Sequence, residues 1–159
     1  MSGRTLWVLY NLALALWIGG MAIYTFLITP AIFRSYGRDE AGRIVGILFP
    51  GYFLYKLVLS LLALAFFLPL PAETSFFAGG WRSFSLALIL LAIVLNAVHR
   101  FLLYPAILRV KKEVRSFEAD AGSASRRKFG RLHAVSMVLN MLVLATGIAL
   151  FILALKKLP

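Results

Sequence analysis

Residues 84–108 read FSLALILLAIVLNAVHRFLLYPAIL. From Phe84 to Leu95 every residue except Ser85 is apolar, and the run continues past Asn96, His99 and Arg100 to Leu108. At about 1.5 Å per residue, a helix of this length crosses the roughly 30 Å hydrocarbon core of a bilayer. Apolar side chains occupy its whole circumference, where a soluble helix keeps them to one stripe. The stretch therefore predicts a transmembrane span.

Three further stretches have the same character: Leu6 to Phe33, Ile44 to Leu68, and about Leu132 to Leu155. Together they predict an all-α, integral membrane four-helix bundle forming a single transmembrane domain over residues 1–159, with spans at about 6–33, 44–68, 84–108 and 132–155. Composition agrees, because 62% of the residues are hydrophobic, against roughly 45–50% in soluble domains. The first stretch has small residues at Gly20 and Ala22 that resemble a signal-cleavage point, but its apolar run continues well past them, so it reads as a retained span. There is no cysteine, which excludes disulfides, thiolate metal sites and thiol nucleophiles.

The net charge of +11 follows from topology rather than nucleic-acid binding. The first and third connections hold Arg34, Arg38, Arg43, Arg109, Lys111, Lys112, Arg115, Arg126, Arg127, Lys128 and Arg131. The two chain ends and the second connection, Pro69 to Arg82 with Gly79 and Gly80, hold only Arg4, Arg82, Lys156 and Lys157. Positive charge concentrates on the cytoplasmic side, so both termini are expected outside an inner (plasma) membrane, with Trp7 and Trp81 at the outer interface. The basic third connection is expected to meet anionic lipid.

The odd-numbered spans repeat. Ile28-Thr29-Pro30-Ala31-Ile32-Phe33-Arg34 matches Leu103-Tyr104-Pro105-Ala106-Ile107-Leu108-Arg109, and more weakly Arg43, Gly46 and Leu57-Val58-Leu59 match Arg127, Gly130 and Met141-Leu142-Val143. Two parallel helical-hairpin repeats, related by an axis along the membrane normal, are the expected arrangement. Pro30 and Pro105 each free a carbonyl one turn earlier, which kinks the helix or offers an acceptor to a neighbour.

Polar residues inside spans are costly on the lipid face and are expected to point inward. Lys56 lies near mid-membrane with Tyr52 and Tyr55 at helical spacing; Asn96, His99 and Arg100 share one face of the third span; His133, Ser136 and Asn140 share one face of the fourth. The expected cluster is Lys56, His99, Arg100 and His133, with Tyr52, Asn96 and Asn140 beside them, in the bundle or in a crevice opening to the inner leaflet. The two histidines differ in depth by roughly 12 Å or less, which is compatible with both holding one iron or copper. His133, Met137 and Met141, at i, i+4 and i+8, also form a soft ladder suited to copper(I). No Asp or Glu lies in any of the four apolar stretches. Lys56 and Arg100 thus lack a carboxylate partner at depth: Arg100 reaches the inner surface, Lys56 sheds its proton, or a ligand supplies the anion.

Leu16-Trp17-Ile18-Gly19-Gly20-Met21, the Pro-Ala-Ile-Phe-Arg segment ending at Arg34, Gly46-Ile47-Leu48-Phe49-Pro50-Gly51-Tyr52-Phe53, and Arg131-Leu132-His133 with Asn140-Met141-Leu142-Val143-Leu144 resemble the bacterial relatives of transmembrane protein 205. The resemblance covers nearly the whole chain. It implies a four-helix membrane protein, of a family linked in animals to platinum-drug resistance. More distantly, Leu16 to Gly20 resembles the first helix of copper-resistance (CopD-like) membrane proteins and of haem-containing protoporphyrinogen oxidases of the HemJ type. Where those relatives carry a histidine, this chain has Tyr10 or Asn11.

Three readings stand side by side. In the first, His99 or His133 ligates a b-type haem while Arg100 and Lys56 pair with propionates. The second is transport of, or resistance to, a small solute or a metal such as copper. The third is a non-catalytic membrane assembly subunit, with Gly19-Gly20 as helix contacts. A small-molecule or metal ligand belongs to the first two, nucleic acid to none, and a homo-oligomer is compatible with each.

Overall fold

The computed structural model describes residues 2–70, 80–119 and 122–156. Gly79 and Lys157, used above in the charge and loop reading, lie outside the described residues. Four helices are long and apolar enough to cross a membrane: α1, Gly3–Ser35; α2, Arg38–Phe67; α3, Trp81–Glu113; and α4, Ala124–Leu155. No strand occurs among the described residues. The chain is an all-α membrane four-helix bundle, as expected from hydropathy. The helices run further than the apolar stretches, because basic residues past the hydrocarbon edge continue the backbone into water. Only Tyr36 and Gly37 separate α1 from α2.

Neighbours follow chain order: α1 packs on α2, α2 on α3, α3 on α4, and α4 closes on α1. The outward faces carry the apolar side chains a bilayer requires, among them Leu12, Phe26, Leu54, Leu91, Phe101 and Ile148. The half of the core nearer the chain termini is apolar and aromatic, with Tyr10, Trp17, Phe67, Ile89 and Leu150 buried. Close approach there depends on small residues: a Cβ at Gly147 would stand 3.2 Å from the Ile18 side chain, and one at Gly20 would collide with the Tyr55 ring, whose hydroxyl donates to the Leu16 carbonyl. Gly19 faces open space, so Gly20 alone of that pair makes the helix contact. At the same end, Arg82 donates to the carbonyls of Leu70 (2.7 Å) and Leu68 (2.9 Å), occupying acceptors that α2 leaves at its C-terminus.

Two helices carry one widened turn each. In α1 it covers Ile23–Ile28 and in α3 His99–Leu103. The Thr29 N–H reaches back five residues to the Tyr24 carbonyl, and the Tyr104 N–H does the same to His99. Pro30 and Pro105 follow directly. Proline has no N–H and crowds the carbonyl four residues back, and a widened turn relieves that crowding. In α1 the Thr29 hydroxyl also donates to the Tyr24 carbonyl, at 2.9 Å. Both widened turns end at the same position relative to their proline, as a duplicated hairpin requires. The cyclic neighbour order is likewise what a twofold along the bundle axis requires, since it exchanges α1 with α3 and α2 with α4.

Candidate functional site

Most of the described buried polar residues gather in one cluster to which every helix contributes, Ser85 and Thr146 lying apart from it. α2 supplies Lys56, which is 0% exposed. Its Nζ lies 3.1 Å from Asn140 Oδ1 and 3.2 Å from His99 Nδ1, with the Tyr52 and Phe53 rings about it at 5.2 and 5.1 Å. The Tyr52 hydroxyl donates to Asn140 Oδ1 at 2.8 Å, and Asn140 Nδ2 donates to Thr25 Oγ1 of α1 at 3.1 Å. α3 supplies His99, 1% exposed, whose other nitrogen, Nε2, lies 2.6 Å from Ser136 Oγ on α4. Asn96 Nδ2 donates to the Lys56 carbonyl at 3.3 Å and to Ser60 Oγ at 3.4 Å. Its Oδ1 and the Tyr24 hydroxyl are buried without a hydrogen-bond partner.

The repeat expected from the sequence would place its axis at this cluster. Laying Arg43 on Arg127 puts Lys56 on Asn140 and Tyr52 on Ser136, and laying Pro30 on Pro105 puts Tyr24 on His99. A residue that touches its own counterpart lies beside the axis, and Lys56 touches Asn140. The His99–Ser136 hydrogen bond is then the counterpart of the Tyr24–Tyr52 ring stack, whose centroids are 4.1 Å apart.

Below the cluster, toward the basic connections, lies a vestibule of about 310 Å³. Its lining combines Val45, Phe49 and Phe53 of α2 and the small Gly42 and Gly46 with the bases Arg38, Lys111 and Arg126 and with His133. Gly46 makes room for Lys111: a Cβ there would stand 3.2 Å from its Nζ, which donates to the Gly42 carbonyl at 2.7 Å. Arg126 donates to the Phe117 carbonyl. The wall between vestibule and cluster is aromatic, with Phe53 5.3 Å from Phe49 and 5.1 Å from Tyr104. Ser136 belongs to both sides, lining the vestibule while bonded to His99. At the mouth, Asp39 accepts from the Ser116 hydroxyl and from the Phe117 N–H, at 2.7 and 2.6 Å, fastening the start of α2 to the connection before α4.

Lys56, His99, Asn96, Asn140 and Tyr52 thus stand together, and four other expected site residues do not. Arg100 stays out of the cluster, its guanidinium over the Phe101 ring at 5.7 Å. Met137 and Met141, 57% and 37% exposed, point outward. Each follows an inward residue, Ser136 or Asn140, by one position, about 100° around the helix, so the methionine ladder does not line the interior. His133 faces the vestibule with its ring stacked on Phe129 at 5.8 Å. His99 has both ring nitrogens engaged within the protein, so it presents no ring nitrogen to a haem iron or copper ion. No group of three or more His, Cys, Asp or Glu side chains capable of holding a metal occurs among the described residues. Thr25 and Ser60 were not expected in the cluster.

No curated protein and no solved structure matches the chain. The family described as Domain of unknown function (DUF4149) matches residues 12–116, which contain Lys56 and His99 and stop before Ser136 and Asn140. With most of its length matched in this way, the chain belongs to the DUF4149 family.

Proposed function

We propose that the protein binds a small anionic amphiphile, reached from the cytoplasmic side, in the vestibule beneath the Lys56–His99–Asn140 cluster. The observation that carries this reading is the mixed lining: the apolar side chains Val45, Phe49 and Phe53 of α2 border the same cavity as the bases Arg38, Lys111 and Arg126. An apolar chain or ring suits the former and an acid group the latter. The cavity volume lies at the lower end of the roughly 300–1,000 Å³ that ligand pockets cover, which suits a single short chain or ring system better than a porphyrin. A resident haem held by both histidines fits less well, because His99 is committed to Lys56 and Ser136. The resemblance to transmembrane-protein-205 relatives is compatible with handling of small molecules in the membrane and names none.

Equilibrium binding of radiolabelled decanoate to the purified protein in nanodiscs of neutral lipid tests the proposal. One saturable site is expected, weakened about tenfold in Lys111→Gln, equivalent to about 1.4 kcal/mol. Binding that does not saturate, or that Lys111→Gln and Arg126→Gln leave unchanged, overturns it. A visible Soret band from the purified protein would restore the haem reading.

A further inference from the structure

Ser136 is the one member of the polar cluster among the lining residues of the vestibule. Its hydroxyl is 2.6 Å from His99 Nε2, and His99 Nδ1 is 3.2 Å from Lys56 Nζ. A hydroxyl facing a cavity, a base within hydrogen-bond reach and a third group orienting the base make up the arrangement of an activated nucleophile. We infer that Ser136 is a nucleophilic serine, with His99 as its general base and Lys56 as the positioning residue, acting on a single-chain acyl ester with an anionic head.

The direction of the chain depends on the tautomer of His99. When Nδ1–H donates to the lone pair of a Lys56 amine, Nε2 is left to accept from the Ser136 hydroxyl. The amine's own hydrogens then serve Asn140 Oδ1, which lies 3.1 Å away. This assignment leaves no ammonium in need of a counter-ion, in agreement with the absence of acids from the four apolar stretches. Tyr52 and Thr25 fix Asn140 in turn, so Lys56 is held from the side opposite His99. His99 opens the widened turn of α3, whose distinct register places its ring between α2 and α4.

In the step proposed, Ser136 Oγ bonds to the ester carbonyl carbon as its proton passes to His99 Nε2. The ester C–O bond then breaks, and the leaving alcohol takes that proton from His99. Water reaching the vestibule attacks the acyl-serine and gives a proton to His99, which returns it to Ser136 Oγ as the carboxylic acid departs. The apolar α2 wall takes the acyl chain, while Lys111 and Arg126 attract the anionic head. The inference rests on the ligand reading above, and its product is an anion of the class proposed there.

Treating the full-length protein in nanodiscs with a fluorophosphonate probe, followed by mass-spectrometric mapping, tests the inference. Labelling at Ser136 is expected, with none at the buried Ser60 and Ser85. His99→Gln should slow labelling at least about a hundred-fold, the lower range for loss of a general base, and Ser136→Ala should abolish it. The wild-type map carries the test even if a His99 variant fails to fold. Saturable decanoate binding without labelling at Ser136 overturns the nucleophile and leaves the ligand reading standing. Absence of both removes both, and labelling that persists unchanged in a folded His99→Gln protein removes the base.

Discussion

At the scale of residues, a polar side chain in an apolar run is informative only when its own helix cannot satisfy it. Lys56, Asn96, His99 and Asn140 need partners on other helices, and their inward placement followed from the cost of facing lipid. Hydroxyls give no such signal. Thr146 donates to the Leu142 carbonyl and Ser60 to the Leu57 carbonyl of the same helix, so a span tolerates serine or threonine on any face. Thr25 was therefore illegible as a cluster member, and Ser136 was legible only as part of a stripe. Arg100 is misleading for the opposite reason, since its long stem lets the charge leave the depth of its Cα. Asn140 holds Tyr52, Lys56 and Thr25 together, and hydrogen bonds between membrane helices contribute on the order of 0.6–1.7 kcal/mol each. Asn140→Ala is expected to lower stability by about 1–2 kcal/mol, read as a reduced thermal midpoint in detergent. Met141→Ala, on the outward face, should leave the midpoint nearly unchanged. Equal losses in the two variants would contradict the network described here.

At the scale of elements, the four spans were legible because a bilayer demands a continuous apolar length and nothing else in the chain supplies one. Their ends were less so: Arg34, Arg38 and Arg43 read as a loop, yet most of that stretch is helical. The prolines announced a disturbance in α1 and α3 but not its form. Pro50, inside α2, is accommodated without a widened turn, so the residue type alone does not decide the geometry. The glycine pair of α1 gives a sharp contrast. Gly20→Ala must displace the Tyr55 ring and its bond to Leu16, with an expected loss of about 1 kcal/mol. Gly19→Ala meets open space and should be neutral or stabilising by up to about 1 kcal/mol, through reduced backbone freedom in the unfolded chain. Thermal midpoints of the two variants, measured side by side, decide whether this packing has been read correctly.

At the scale of the molecule, the two hairpins share a widened turn ahead of a proline and differ in chemistry. Laying Arg43 on Arg127 sets Gly42 against Arg126 and Phe49 against His133; the first hairpin offers bare, apolar surface where the second offers bases. A cavity beside the pseudo-axis would be the same on both sides if the halves were identical. That difference gives the vestibule its mixed apolar and basic lining. The charge distribution predicts both ends of the chain on the outer side: a C-terminal alkaline phosphatase fusion should be active, and a fluorescent protein that matures only in the cytoplasm should stay dark at the same position. The reverse pattern would invert the topology and place the vestibule outside. The ring order of the helices has one further consequence. Because α4 closes on α1, with Leu6 and Ala154 both in one core cluster, the chain can be rewired by circular permutation. Joining the end of α4 to the start of α1 by a short flexible peptide, and opening the backbone between Leu70 and Gly80, yields a protein that begins with the second hairpin and ends with the first. A twofold relation between the hairpins would leave neither order of the halves preferred, so on that expectation the permutant should insert, fold and melt close to the parent, with the Lys56–Asn140 junction reassembled from swapped ends.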